Sequence, residues 1–298
     1  MTNKNIGERI FRPARQEAHD AKVTVDSPQT HSASYKLAFQ DTEFLLREDL
    51  RPVRFQLELM KPEVLLDEAN IVSTFVFYGS ARIPSPDKAQ ALIDAARSDQ
   101  DRRIANNLAA KARYYDEARK LAQTAAAFPP NSAGCRHFVV CSGGGPSIME
   151  AANRGAHDAG APSIGFNITL PMEQEPNAYS TPDLTFRFHY FAMRKMHLAM
   201  RANALVVFPG GFGTLDELFE ILTLQQTNKA PRIPTVLVDE AYWTSIIDFR
   251  ALAAAGMVTE ADLALFRFAA DAEEAWERLQ VSGAINGRQD VKAPRQVR

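Results

Sequence analysis

Short apolar runs recur along the chain from residue 71 onward, separated by turn-forming and polar residues. Runs of this length are typical of strands that are buried on both faces of a sheet. They predict strands over residues 71–78, 137–141, 163–168, 204–208 and 235–238. Apolar residues at helical spacing predict helices over residues 114–127, 146–159, 193–203, 214–226, 242–255 and 273–279.

This alternation of strands and helices predicts βαβ units. The fold class is therefore α/β, with a mostly parallel sheet that carries helices on both faces. In such sheets ligands bind beyond the carboxyl ends of the strands. Gly79, Gly143 and Gly210 all lie just after predicted strands. We therefore expect a binding crevice at this edge of the sheet.

The segments on either side of this pattern differ from it. Residues 1–35 are polar and predict a mobile arm, whereas residues 40–70 show helical periodicity. The predicted organisation is an N-terminal arm and helical extension over 1–70, an α/β domain that carries the binding crevice over 71–281 and a polar tail over 282–298.

Composition narrows the functional classes. The net charge of −2 provides no basic field for a nucleic acid, and two cysteines are too few for a disulfide framework. No apolar run is long enough for a membrane span, and the N-terminus does not resemble a signal peptide. We expect a cytoplasmic protein with no nucleic-acid or membrane partner. No His/Cys/Asp cluster suggests a metal, and no cofactor is expected.

The most informative motif is the loop 209–214, Pro-Gly-Gly-Phe-Gly-Thr, between a predicted strand and a predicted helix. Glycines permit close backbone approach, and a helix N-terminus favours an anion. The loop lacks both the third glycine of a dinucleotide fingerprint and the Gly-Lys-Ser/Thr of a P-loop. It predicts a site for a mononucleotide or a sugar phosphate. The alternative interpretation is a plain strand-to-helix turn.

Glu217 has two interpretations. Thr214-x-x-Glu217 has the spacing of a capping box, in which the glutamate bonds back to the first amide of the helix. Ser147-x-x-Glu150 has the same spacing after a weaker glycine loop. Because Glu217 lies one turn beyond the candidate phosphate loop, a catalytic role is equally compatible with its position.

Arg194 and Lys195 lie on the predicted helix before the fourth strand. A solvated basic pair is the plain interpretation of these two residues. Arg201 follows Arg194 by seven residues, a spacing that predicts one helical face and two cations near one edge of the sheet.

Taken together, these residues resemble the LOG family of phosphoribohydrolases, whose signature P-G-G-x-G-T-x-x-E is complete at 209–217. The family's upstream Arg-Lys pair is present, but the Met-His that usually precedes it is replaced within Phe191-Ala192-Met193. The resemblance extends to Gly79-Ser80 and to the Gly-Gly-Gly-Pro-Ser-Ile-Met of 143–149. It covers residues 71–255.

The resemblance implies a Rossmann-like, doubly wound fold and hydrolysis of a nucleoside 5′-monophosphate to free base and ribose 5-phosphate. It implies that Arg194 and Glu217 are the catalytic pair. The predicted phosphate and nucleotide contacts are Gly79, Ser80, Gly143, Gly144, Gly145, Lys195, Gly210, Gly211, Gly213 and Thr214.

The resemblance also implies a homodimer or a higher homo-oligomer. An amphipathic helical stripe beside the site supports this expectation, and it consists of Leu218, Ile221, Leu222 and Gln225. Because the Met-His is replaced and an N-terminal extension is present, we expect AMP or another common monophosphate as substrate. Cytokinin nucleotide activation is one alternative, and a non-catalytic carrier or sensor is another. A decarboxylase using pyridoxal phosphate would need a Schiff-base lysine, for which Lys195 is the nearby candidate.

Overall fold

The computed structural model describes residues 13–21, 25–170 and 175–282. The chain divides into two compact units, and the second begins at Pro62. The first contains α1 (Ala14–Asp20), which buries no side chain, and α2 (Thr42–Leu45). Residues 1–12 and 22–24 of the predicted arm lie outside the described residues, as does the predicted tail apart from Ser282.

The second unit contains a sheet of seven described strands. In chain order they are β1 (Thr74–Tyr78), β2 (Val139–Ser142), β3 (Ser163–Ile168), β4 (Thr185–Phe188), β5 (Ala202–Val207), β6 (Thr235–Val238) and β7 (Arg267–Ala269). Their order across the sheet is β4-β3-β2-β1-β5-β6-β7, and every neighbouring pair is parallel. The strand order reverses at the β1/β5 pair, as in a doubly wound fold.

Helices precede, connect and follow these strands. The described helices are α3 (Arg51–Glu68), α4 (Pro86–Asp94), α5 (Asp99–Ala109), α6 (Arg113–Ala126), α7 (Ile148–Asp158), α8 (Phe191–Met200), α9 (Phe212–Gln226), α10 (Glu240–Ile246), α11 (Phe249–Ala254) and α12 (Ala272–Val281). Because crossovers of this length can join parallel strands only by passing over a face of the sheet, the helices cover both faces. The predicted α/β fold is confirmed.

Alternation along β1 separates two cores. Phe75 and Phe77 belong to one cluster, with side chains of α6, α7 and α12. Val76 and Tyr78 belong to the other, with side chains of α8, α9 and α10. Successive strand residues point to opposite faces, so an uninterrupted apolar run is needed when both faces are covered.

Two strands and one helix break were not predicted. β4 and β7 are the edge strands of the sheet and contain only four and three residues. The predicted helix over 242–255 is divided into α10 and α11, because the Asp248 side chain accepts from the amide of Ala251 and starts a new helix. Within the described residues, no helix is both long and apolar enough to cross a membrane.

Candidate active site

A cleft of about 700 Å³ lies at the carboxyl ends of β1 and β5. These strands are neighbours, but their following loops lead to different faces of the sheet, and this divergence opens a crevice. The amide of Phe208 donates to Tyr78 O over 2.8 Å, and the amide of Ser80 donates to Pro209 O over 3.0 Å. The two loops are therefore held side by side at the base of the cleft.

Most of the predicted site residues line this one cleft. They are Gly79, Ser80, Gly143, Arg194, Gly210, Gly211, Gly213, Thr214 and Glu217. These residues come from the ends of three strands and from two helices. The structure thus brings together segments that are up to 138 residues apart (79 to 217) in the sequence.

The N-terminus of α9 opens into the cleft. Its N-cap residue is Gly211, and no side chain caps it. A Cβ atom added to Gly211 or Gly213 would meet nothing within 4 Å, so both glycines face open space. At Gly210, by contrast, an added Cβ would lie 2.1 Å from Thr214 Oγ1. Uncapped amides at the positive end of a 15-residue helix form a favourable environment for an anion.

Arg194 of α8 and Glu217 of α9 form an ion pair beside this helix end. Arg194 Nη2 lies 2.6 Å from Glu217 Oε1, and the two side chains are only 14% and 12% exposed. Burial raises the pKa of Glu217, and the Arg194 cation opposes that effect. Arg194 Nε is buried without a hydrogen-bond partner among the described residues. The pair therefore offers a partly desolvated carboxylate and a cation with unused donor capacity.

The capping-box interpretations are wrong for both loops. α9 starts at Phe212, so Thr214 lies inside the helix and Glu217 binds Arg194 instead of a helix-end amide. Ser147 does precede α7, but its hydroxyl donates to Ile83 O over 2.5 Å. Glu150 accepts a hydrogen bond from the Tyr115 hydroxyl over 2.7 Å.

Gly144 and Gly145 do not line the cleft. Gly144 has a φ of 69°, and an added Cβ would lie 2.2 Å from Asn167 Oδ1. The Gly144 carbonyl accepts from Asn167 Nδ2 over 3.1 Å, and the Gly145 carbonyl accepts from Asn177 Nδ2 over 3.1 Å. Both glycines therefore lie in the loop behind Gly143, and a side chain would not fit at Gly144.

Lys195 also lies outside the cleft lining. Its ammonium is 3.1 Å from Asp216 Oδ2 and 3.2 Å from Glu220 Oε2. Burial lowers the pKa of Lys195, but the hydrogen bonds to these carboxylates outweigh burial and raise it. A Schiff-base lysine needs the opposite shift. Among the described residues that line the cleft there is no lysine, so the site does not fit pyridoxal phosphate.

The prediction that Arg201 lies near Arg194 is wrong. α8 ends at Met200, and Arg201 follows it at the amino end of β1, where its carbonyl accepts from the amide of Thr74. Its guanidinium binds Glu63 Oε2 over 2.8 Å and Asp67 Oδ1 over 2.7 Å. Arg194 is the fourth residue of α8 and Arg201 follows the last, so about 10 Å of helix axis separates the two arginines.

Several cleft residues were not predicted. Arg82 lies in the loop after β1, and the position of that loop at a strand end was the signal that could have identified it. Tyr242 of α10 lines the cleft and donates from its hydroxyl to Gly210 O over 2.6 Å. No sequence motif marks Tyr242, because its contact depends on how α10 packs. Apolar lining comes from Met149, Ile168, Leu170, Phe191, Leu215 and Ile246.

The strand order and the glycine loops at its reversal point define a Rossmann-like α/β protein. The sequence profile of a family described as "Possible lysine decarboxylase" matches residues 149–279. The cytokinin riboside 5′-monophosphate phosphoribohydrolase LOG3 of Arabidopsis thaliana is 27% identical over 113 residues, which are 37% of this chain and 51% of that protein. These matches confirm the resemblance to the LOG family.

A second relative is the probable cytokinin riboside 5′-monophosphate phosphoribohydrolase LOGL5 of Oryza sativa subsp. japonica. It is 28% identical over 113 residues, which are 37% of this chain and 45% of that protein. The chain thus matches about half the length of these curated relatives.

Among solved structures, the Moco carrier protein from Chlamydomonas reinhardtii has a TM-score of 0.41 and 18% identity, covering 72% of this chain and 97% of that chain. The molybdenum cofactor binding protein from Rippkaea orientalis has a TM-score of 0.39 and 18% identity, covering 70% and 97%. Nothing about the chemistry of this chain follows from these two likenesses.

Proposed function

We propose that this chain hydrolyses the N-glycosidic bond of a nucleoside 5′-monophosphate and releases the free base and ribose 5-phosphate. The observation that carries the proposal is the largely buried Arg194–Glu217 pair next to the uncapped N-terminus of α9. A phosphate at the helix end and a carboxylate one turn away match the two ends of a ribose 5-phosphate.

The phosphate binds the loop 209–214 through backbone amides, and this remote contact positions the ribose. As the bond from the anomeric carbon to the base nitrogen breaks, its electron pair leaves with the base and positive charge develops on the sugar. The Glu217 carboxylate stabilises that charge and orients the attacking water. Water oxygen then bonds the anomeric carbon, and the base takes up a proton.

Arg194 has two roles in this proposal. Its cation favours the ionised form of Glu217 although the carboxylate is buried. Its remaining donors are available to the ribose hydroxyls or to the phosphate. We propose AMP or a similar common monophosphate as substrate, with the base against the apolar lining of Ile168, Leu170 and Phe191.

The test is to incubate the protein with AMP, with the other common nucleoside monophosphates and with a cytokinin riboside 5′-monophosphate. Free base and ribose 5-phosphate are then measured by chromatography. Release of both products from AMP supports the proposal. Saturable AMP binding without base release would instead identify a carrier or sensor. Preference for a cytokinin nucleotide over AMP would place the chain with the cytokinin-activating relatives. Neither binding nor release for any nucleotide would overturn the proposal.

We also propose that the protein is cytoplasmic and forms a homodimer or a higher homo-oligomer. The stripe at Leu218, Ile221, Leu222 and Gln225 does not provide the contact, because all four side chains are buried in the second unit. Exposed apolar side chains do occur on α8 and α9, at Met196, Met200 and Phe219. Sedimentation equilibrium that detects only a single-chain species at micromolar concentration would contradict the dimer.

A further inference from the structure

Tyr242 makes a contact that the proposed mechanism does not use. Its hydroxyl donates a hydrogen bond of 2.6 Å to the carbonyl oxygen of Gly210, inside the candidate phosphate loop. Tyr242 lies in α10, which begins just after the carboxyl end of β6, whereas Gly210 follows β5. The bond therefore ties the phosphate loop to the next unit of the fold.

The tyrosine itself is held from two sides. The Tyr242 amide donates to Asp239 Oδ1 over 3.1 Å, and Asp239 has a left-handed backbone with a φ of 73°. Lys111 Nζ lies 5.0 Å from the centre of the Tyr242 ring and 3.9 Å from Asp239 Oδ2. Left-handed backbone at a residue other than glycine persists only where its surroundings enforce it. The backbone of Tyr242 and its phenol ring are therefore both held in position by their neighbours.

The bond to Gly210 determines the orientation of one peptide unit. A trans peptide is planar, so the carbonyl of Gly210 and the amide N–H of Gly211 point in opposite directions. A peptide flanked by two glycines has unusual freedom to rotate. If it turned over, a carbonyl oxygen would replace an amide donor on the side of the anion. Fixing the carbonyl also fixes the amide.

We propose that Tyr242 is a positioning residue that keeps the Gly210–Gly211 peptide oriented with its amide toward the substrate phosphate. This inference rests on the proposed function, because it requires the loop 209–214 to bind phosphate. Tyr242 acts through the backbone of Gly210 and Gly211, and it takes no part in the bond-breaking step. Its loss should therefore weaken phosphate binding more than it slows the reaction of bound substrate.

The test is Tyr242→Phe, which removes the hydroxyl and keeps the ring packed against Trp243 at 5.3 Å between ring centres. The matched control is Tyr115→Phe, which removes a hydroxyl that donates to Glu150 over 2.7 Å outside the cleft lining. Ribose 5-phosphate binding is measured by calorimetry, and AMP and adenosine hydrolysis by base release. Melting temperatures show that both variants fold.

We expect Tyr242→Phe to raise the Kd for ribose 5-phosphate and the KM for AMP roughly tenfold or more, as for loss of one charge-assisted hydrogen bond. Its kcat for AMP should stay within about threefold of wild type, because Tyr242 takes no part in the bond-breaking step. Hydrolysis of adenosine, which lacks the phosphate, should not change. Tyr115→Phe should leave all three values near wild type.

Three outcomes overturn the inference. Unchanged Kd and KM in a folded Tyr242→Phe variant show that the bond does not organise the loop. A fall in kcat at unchanged KM shows that Tyr242 acts on the reaction itself. Wild-type protein that releases base from AMP but does not distinguish AMP from adenosine removes the phosphate role of the loop. Failure of the proposed function can be told apart from failure of this inference, because wild-type protein would then release no base from AMP.

Discussion

Replacing Glu217 by glutamine separates a catalytic carboxylate from a structural one. Glu217→Gln keeps the size of the side chain and an oxygen that can accept from Arg194, but it removes the negative charge. In the structure that charge is 12% exposed and 2.6 Å from Arg194 Nη2. If the carboxylate faces the developing ribosyl cation, the variant should fold and lose most of its activity.

The expected size follows from the burial of the pair. Two unit charges 4 Å apart interact by about 4 kcal/mol at an effective dielectric constant of 20. Only part of a charge develops in the transition state, so we expect a loss of about 2.7 kcal/mol, or roughly 10²-fold in kcat. Stability should fall by about 1–3 kcal/mol, less than for a truncated buried pair, because glutamine retains the hydrogen-bond acceptor.

The assay is base release from AMP under saturating conditions, with melting temperature and near-ultraviolet circular dichroism to establish folding. Glu150→Gln is the matched control, since glutamine can still accept the hydrogen bond from Tyr115 that Glu150 accepts over 2.7 Å. The control should keep kcat near wild type. A folded Glu217→Gln protein with near-normal kcat would refute the catalytic assignment of Glu217.

Three further predictions follow from the charges of the site and its supports. AMP should exceed adenosine in kcat/KM by about 100-fold or more, since two or three charge-assisted hydrogen bonds are lost with the phosphate; equal values would remove the loop 209–214 as phosphate site. Burial raises the pKa of Glu217. The kcat for AMP should therefore be constant at higher pH and should fall on acidification at a pH above the usual range for glutamate. A fall that begins only within or below the usual range would contradict this prediction. Burial raises the pKa of Glu63, but interactions with His197 and Arg201 outweigh burial and lower it to about 2. The resulting stabilisation is present above the ordinary value of 4.5 and lost as the pH falls toward 2. Because the Glu63 side chain is 27% exposed and solvent screens the pair, Glu63→Gln should reduce the free energy of unfolding by only about 1–2 kcal/mol at pH 7. Its kcat should stay near wild type, and urea denaturation that finds no loss of stability would contradict the prediction.

The sequence alone predicted those elements whose pattern of residues lies within one continuous segment. The strands over 163–168 and 235–238 have the predicted bounds, because strands buried on both faces contain few charged residues and end at turn-forming residues. The glycine loops after β1, β2 and β5 were located for a related reason, since the carboxyl ends of parallel strands meet at one edge of the sheet.

Segments whose structure depends on a distant partner were not predictable in this way. β4 and β7 are short edge strands, and β4 alternates buried and exposed residues. Four residues of that kind are equally compatible with an extended loop. Their hydrogen bonds to β3 and β6 make them strands, and those partners are determined by the assembled sheet.

The same distinction applies to the site. The sequence by itself located the loop 209–217, but its spacing was equally compatible with a helix cap and a catalytic glutamate. Only the tertiary structure excluded the helix cap, because α8 brings Arg194 to Glu217 from 23 residues away. It also turned Lys195 toward Asp216 and Glu220 and brought Tyr242 to the loop 209–214. Helical spacing determines which side chains share a face, whereas the packing of the helix on the sheet determines what that face contacts.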